Sequence, residues 1–117
     1  MLVAHRQDGM EFVTQGGEDV PAIGLGTWQM ETETAYRAVS TGLDLGYRHV
    51  DTAQLYGNED GVGRAIAESD VDRKDVFLTT KVNPTHRTVQ DILASVRASL
   101  RRLCVDRVDL LLIHWPH

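Results

Sequence analysis

Apolar positions recur along the chain at two spacings, and the switches between them set out its elements. Thr32 to Leu45 puts Ala35, Val39 and Leu43 on one stripe at helical spacing, with Gly46 placed to end the helix. A second helix starts after Asn58, a residue suited to capping it, and carries Val62, Ala65 and Ile66; Asp70-Val71-Asp72 then reads as a loop. The clearest helix opens at Thr88, where Val89, Ile92, Leu93, Val96, Leu100 and Leu103 keep to one face. Between the helices, Tyr47 to Asp51, Val76 to Lys81 and Val108 to His114 are short apolar runs that read as strands. Ahead of them, Met10 to Thr14 and Val20 to Leu25 flank the reversal Gln15 to Asp19 and predict a hairpin. Pro21 lies in the returning arm, where its missing N–H is tolerable only at an edge or a strand start.

The order is a hairpin followed by alternating strands and helices, and the strand cores are nearly continuous apolar runs. Strands covered on both faces have that composition, so the expectation is a parallel α/β fold. The repeat is the βα unit itself, about every 25–30 residues as such units require. No low-complexity segment or linker interrupts it, and 117 residues at 42% hydrophobic suit one domain spanning 1–117.

Charge and composition narrow the function classes. The net charge is −5 without a block of like charges, which argues against a nucleic-acid partner, since phosphate affinity rests on clustered Lys and Arg. No apolar run approaches the roughly 20 residues that cross a bilayer, and Met1 to Asp8 lacks the apolar stretch of a secretory signal. The expectation is no membrane partner and a cytoplasmic location. Cys104 is the single cysteine, between Leu103 and Val105 at the end of a helical pattern, and is expected to be a packed thiol.

The polar residues of interest each fall at the carboxyl end of an expected strand. Gly26-Thr27-Trp28 follows the first, Asp51 the second, Lys81 the third and His114 the fourth. That rim is where α/β barrels build active sites. A tyrosine such as Tyr56 can protonate a carbonyl oxygen as hydride reaches its carbon, but a free phenol, with a pKa of about 10, is a reluctant donor. A neighbouring ammonium stabilises the phenolate left behind, and a carboxylate keeps that ammonium charged and aimed, roles open to Lys81 and Asp51. An imidazole beside the developing alkoxide can orient the substrate oxygen, which is a role for His114.

Taken singly, each has an ordinary explanation: a turn former in Asp51, a packed loop aromatic in Tyr56, a solvated lysine in Lys81, a core histidine in His114. Their joint arrival at one rim does not. Gly24-Leu25-Gly26 only begins a dinucleotide-binding fingerprint, because Gln29 stands where the third glycine belongs. A metal-dependent hydrolase could use His49, Asp51, Lys81 and His114 as ligands, but such sites need more histidines and leave Tyr56 without a task; no metal is expected.

At this point the sequence resembles the aldo-keto reductases. The matching stretches are Val20-Pro21-Ala22-Ile23-Gly24-Leu25-Gly26-Thr27-Trp28, then Gly46-Tyr47-Arg48-His49-Val50-Asp51-Thr52-Ala53 with Tyr56-Gly57-Asn58-Glu59, then Thr80-Lys81, and finally Val108-Asp109-Leu110-Leu111-Leu112-Ile113-His114-Trp115-Pro116. The resemblance implies a parallel (β/α)8 TIM-type barrel, represented by about its first four βα units after an N-terminal β-hairpin. It also implies reduction of an aldehyde or ketone by NADPH, with NADH possible, and a catalytic quartet of Asp51, Tyr56, Lys81 and His114 in which Tyr56 is the general acid. Gly26, Thr27 and Asp51 would lie at the cofactor, and Trp28 and Trp115 would join Tyr56 and His114 around the substrate.

Many relatives carry a tryptophan two residues after the lysine, where this chain has Asn83 followed by Pro84. The match is to the N-terminal half of such a barrel. On that resemblance the full-length form is expected to be a monomer, and these residues alone to be a weak or inactive catalyst that self-associates through open strand edges. Some relatives keep the barrel and bind nicotinamide cofactor as regulatory subunits, which is the alternative to catalysis.

Overall fold

The structure is a computed structural model describing residues 3–7 and 9–116. Strands β1 (Val3–Gln7), β2 (Met10–Gln15) and β3 (Glu18–Pro21) form an antiparallel sheet in the order β1-β2-β3. Two strands are expected here from the apolar pattern, and β1 escapes it because Val3-Ala4-His5-Arg6-Gln7 carries few apolar residues. Gly16 and Gly17 have φ of 59° and 83°, the paired positive values of a type I′ hairpin turn, and Gln15 pairs with Glu18 across it. Pro21 ends β3 on the sheet's edge, where no ladder donor is asked of it.

The returning arm does not run on to Leu25 as expected. A bend at Ala22 and Ile23 separates β3 from β4 (Leu25–Gly26), which joins a second sheet. There β4 lies parallel to β5 (His49–Asp51), β5 to β6 (Phe77–Val82) and β6 to β7 (Leu110–Ile113), in sequential order. Strand β5 starts later than expected because Tyr47 N–H is taken by Gly42 O in the preceding helix cap, 2.9 Å away.

Helix α1 (Thr32–Leu45) ends where Gly46 turns left-handed at φ 107°, with Gly46 N–H bonded to Leu43 O. Helix α2 (Glu59–Glu68) begins after Asn58 as expected, but Asn58 does not cap it with its side chain. That amide is buried and spent elsewhere, as described below. Helix α3 (Val89–Leu103) is capped by Thr88, whose side chain accepts from Asp91 N–H at 3.1 Å. Its C-cap is Cys104 at φ 54°, and the thiol is exposed rather than packed, because the left-handed turn carries it off the helix's buried face.

The core lies between the helices and the centre of the second sheet. Ala35, Val39 and Leu43 of α1, Val62, Ala65 and Ile66 of α2, and Leu103 of α3 close over Val50, Val76 and Leu78. Two glycines of α2 permit this approach: a Cβ on Gly61 would overlap Thr32 O, and one on Gly63 would overlap Leu103 O. Strand alternation then assigns the faces. Val50, Leu78, Thr80 and Val82 are buried, with Thr80 reaching Glu59 of α2, whereas His49, Asp51, Phe77, Thr79 and Lys81 share the opposite face. Among the described residues no helix is long and apolar enough to cross a membrane.

Candidate active site

The opposite face becomes a site at the carboxyl ends of its strands. Asp51 closes β5, and its carbonyl accepts from Thr27 N–H at 3.1 Å, which ties the loop after β4 to the strand end. Tyr56 arrives on a short 3-10 turn, Gln54–Tyr56, ended by Gly57 at a φ of 68°. Lys81 is the penultimate residue of β6, and His114 follows β7 directly, held to the end of β6 by His114 N–H on Val82 O at 3.1 Å.

These four residues meet. Lys81 Nζ donates to Asp51 Oδ1 at 2.5 Å, to Thr52 O at 3.1 Å and to Tyr56 Oη at 3.3 Å, which engages all three donors of an ammonium. The Lys81 side chain is 12% exposed and that of Asp51 37%, so the pair is shielded on the lysine side and open on the carboxylate side. The Tyr56 and His114 rings stand edge to face with centroids 5.6 Å apart. Burial, reinforced by the Lys81 ammonium and opposed by Asp51, lowers the His114 pKa below its ordinary 6.5. The imidazole is therefore neutral near neutrality, and its buried Nδ1 has no hydrogen-bond partner among the described residues.

The remaining expected residues divide. Trp28 and Trp115 are 67% and 51% exposed at the rim, with the Trp115 ring 4.7 Å from that of His114. Gly26 is paired with Asp51 in the sheet register, and nothing lies within 4 Å of where its Cβ would be, leaving open space beside the carboxylate. Thr27 is fully buried, beneath the rim rather than on it: its hydroxyl donates toward Thr52 Oγ1 at 3.0 Å and Asp51 O at 3.1 Å. His49 turns away from the quartet, with Nδ1 at 3.2 Å from Pro21 O and Nε2 at 2.9 Å from Thr79 Oγ1, so both nitrogens are occupied beneath the site. A carbonyl oxygen accepts only, so Nδ1 carries the proton and Nε2 accepts from Thr79. That arrangement weakens the metal-ligand alternative, which needs His49 beside Asp51.

A supporting polar network goes unforeseen by sequence reasoning. Asn58 donates to Thr27 O at 2.8 Å and Met30 O at 3.0 Å and accepts from Thr52 Oγ1 at 3.0 Å, bracing the loops after β4 and β5. Glu59 is 1% exposed, with Oε1 accepting from Arg102 Nη2 at 2.6 Å, Arg102 Nε at 2.9 Å and Ser99 Oγ at 3.2 Å, and Oε2 from Thr80 Oγ1 at 2.7 Å. A glutamate in the first turn of a helix ordinarily faces water and the helix dipole. Its burial here depends on Arg102, 43 residues away in sequence, and no local pattern announces that.

Comparison with known proteins decides the family. A family model described as the aldo/keto reductase family matches residues 22–117. The chain belongs to that family. It is 51% identical over 100 residues to an aldo-keto reductase of Mycobacterium sp. (strain KMS), a match covering 86% of this chain and 36% of that protein. It is 50% identical over 100 residues to glycerol 2-dehydrogenase (NADP(+)) of Saccharomyces cerevisiae, covering 86% and 31%. A crystal structure of an aldo/keto reductase from Brucella melitensis superposes with a TM-score of 0.84 at 48% identity, covering 86% of this chain and 38% of that one. The aldo-keto reductase chain thus spans about a third of the length of the curated relatives it matches, and its parallel sheet is part of a (β/α)8 barrel.

Proposed function

We propose that this chain carries the proton-transfer side of an NADPH-dependent reduction of small aldehydes or ketones, with Tyr56 as general acid. The observation that carries the proposal is Lys81 Nζ bridging Asp51 and Tyr56, at 2.5 and 3.3 Å. Support for the substrate class comes from relatives named glycerol 2-dehydrogenase (NADP(+)) and methylglyoxal reductase, and the first of those names favours NADPH over NADH. A bound reduced nicotinamide would supply the hydride for the carbonyl carbon. Open space at Gly26 beside the half-open Asp51 carboxylate fits such a group; these two residues would hold it, with Thr27 fixing Asp51 from beneath.

The chain's own residues then account for the proton. Tyr56 Oη gives its proton to the carbonyl oxygen, and the phenolate that remains is stabilised by the adjacent ammonium. Asp51 holds the Lys81 ammonium against Tyr56. His114, neutral by burial, orients the oxygen by a hydrogen bond without competing to be the acid. Trp28 and Trp115 give the substrate apolar walls.

The test is a chimera in which residues 22–116 replace the matching part of the Brucella melitensis reductase, assayed for aldehyde-dependent loss of NADPH absorbance. Turnover is expected, and Tyr56→Phe should bind NADPH unchanged while lowering kcat by about 10²–10⁴-fold. Substantial activity remaining in Tyr56→Phe would remove Tyr56 from the role of acid. NADPH binding with no turnover of any aldehyde would favour a regulatory cofactor-binding subunit instead.

A further inference from the structure

We infer that Glu59, which touches none of the four site residues, is a positioning residue that sets Lys81 against Asp51 and Tyr56; its catalytic meaning rests on the function proposed above. Glu59 is the hub of a hydrogen-bonded chain with two arms. Through Oε2 it receives Thr80 Oγ1 at 2.7 Å, and Thr80 is the residue immediately before Lys81 on β6. Through Oε1 it receives Ser99 Oγ at 3.2 Å, and Ser99 in turn accepts from Gln54 Nε2 at 3.1 Å. Gln54 opens the 3-10 turn that ends at Tyr56, and its Oε1 accepts from Asn83 N–H, just beyond β6, at 2.7 Å.

One buried carboxylate therefore grips both the strand that delivers the lysine and the turn that delivers the tyrosine. Strand alternation makes the first arm effective: with Thr80 pulled toward α2, Lys81 must point to the other face, toward Asp51. Arg102 supplies the counter-charge from the solvent side, with its own side chain 44% exposed, so the carboxylate is buried but compensated. A group serving only to pair with Arg102 has no need to reach Thr80 or Ser99.

The experiment uses the 117-residue chain itself and needs no turnover. Lys74 and Lys81 are its two lysines; Lys74 is exposed and Lys81 held. Competitive acetylation with trace acetic anhydride, read by mass spectrometry, therefore gives Lys81 reactivity with Lys74 as internal reference. Glu59→Gln, of equal volume, and Thr80→Val, which deletes only the first arm, should each raise the Lys81/Lys74 ratio about five-fold, the freedom gained when one hydrogen bond is lost. Val39→Ala, a core change of α1 remote from the network, controls for general loosening and should leave the ratio at the parent value. An unchanged ratio in Glu59→Gln and Thr80→Val, or an equal rise in Val39→Ala, overturns the inference. A raised ratio in a chain whose chimera reduces no aldehyde leaves the positioning intact and removes only the proposed function.

Discussion

Strands β6 and β7 lie side by side, and their burial runs opposite to their composition. Strand β6, Phe77-Leu78-Thr79-Thr80-Lys81-Val82, contains three polar residues, yet Leu78, Thr79, Thr80 and Val82 are buried. Strand β7, Leu110-Leu111-Leu112-Ile113, is wholly apolar, yet its residues are 36–49% exposed. The difference lies in neighbours. Strand β6 has β5 on one side, β7 on the other and α2 and α3 over one face, whereas β7 has a strand partner only in β6 among the described residues. Helix α3 repeats the contrast along its length: Ser99 and Leu103 near its end are buried while Val89 and Leu93 are 73% and 47% exposed. Hydropathy states what a segment can bury; the surrounding elements decide what it does bury.

The largest expected effect breaks the comparison at its buried side. Leu78→Ala should cost about 2–5 kcal/mol, because the cavity opens inside a packed cluster. Leu111→Ala should stay within about 0.5 kcal/mol, as a surface change does. Urea unfolding of both variants at low protein concentration measures the gap, and equal losses would show that β7 is covered after all.

A smaller effect sharpens the exposed side. The open apolar strand is expected to draw copies of the 117-residue chain together, giving concentration-dependent sedimentation. Leu111→Lys should weaken that association by about tenfold or more, since burying one leucine contributes roughly 1.5–3 kcal/mol. A monomer at all concentrations in the parent chain would refute the expectation.

The smallest effect sits where the two regions meet, at His114 just beyond β7. Its folded pKa lies below the ordinary 6.5, through burial first and Lys81 second. As pH falls through about 6.5 the unfolded chain takes up a proton that the folded chain refuses, so stability is lost below that point and none above it. His114→Gln should flatten this part of the unfolding profile against pH; an identical slope in parent and variant would assign the loss to the carboxylates.

Much of the fold was legible because the relevant signals are local. Helix α1 starts and stops where spacing and Gly46 say, and Thr88 caps α3 as its residue type suggests. The candidate site was legible for a related reason: Asp51, Tyr56, Lys81 and His114 stand at or just past strand ends, and parallel strands in sequential order bring their carboxyl ends to one rim. Other residues misled where their local role was overruled. Asn58 stands at a helix N-terminus, but buried carbonyls at Thr27 and Met30 need its amide more than the helix does. Cys104 follows an apolar helix, but a left-handed cap exposes it.

By itself the sequence determined the alternation of elements, the end of α1 at Gly46, the start of α3 at Thr88 and the residue types available at the rim, all of which depend on neighbours within a few positions. The tertiary structure alone decided that Lys81 Nζ sits between Asp51 and Tyr56, and that Thr27 and Glu59 lie buried beneath them. Each of those is set by partners tens of residues away, and a hydrogen bond or a covered face exists only once the chain has brought both sides together.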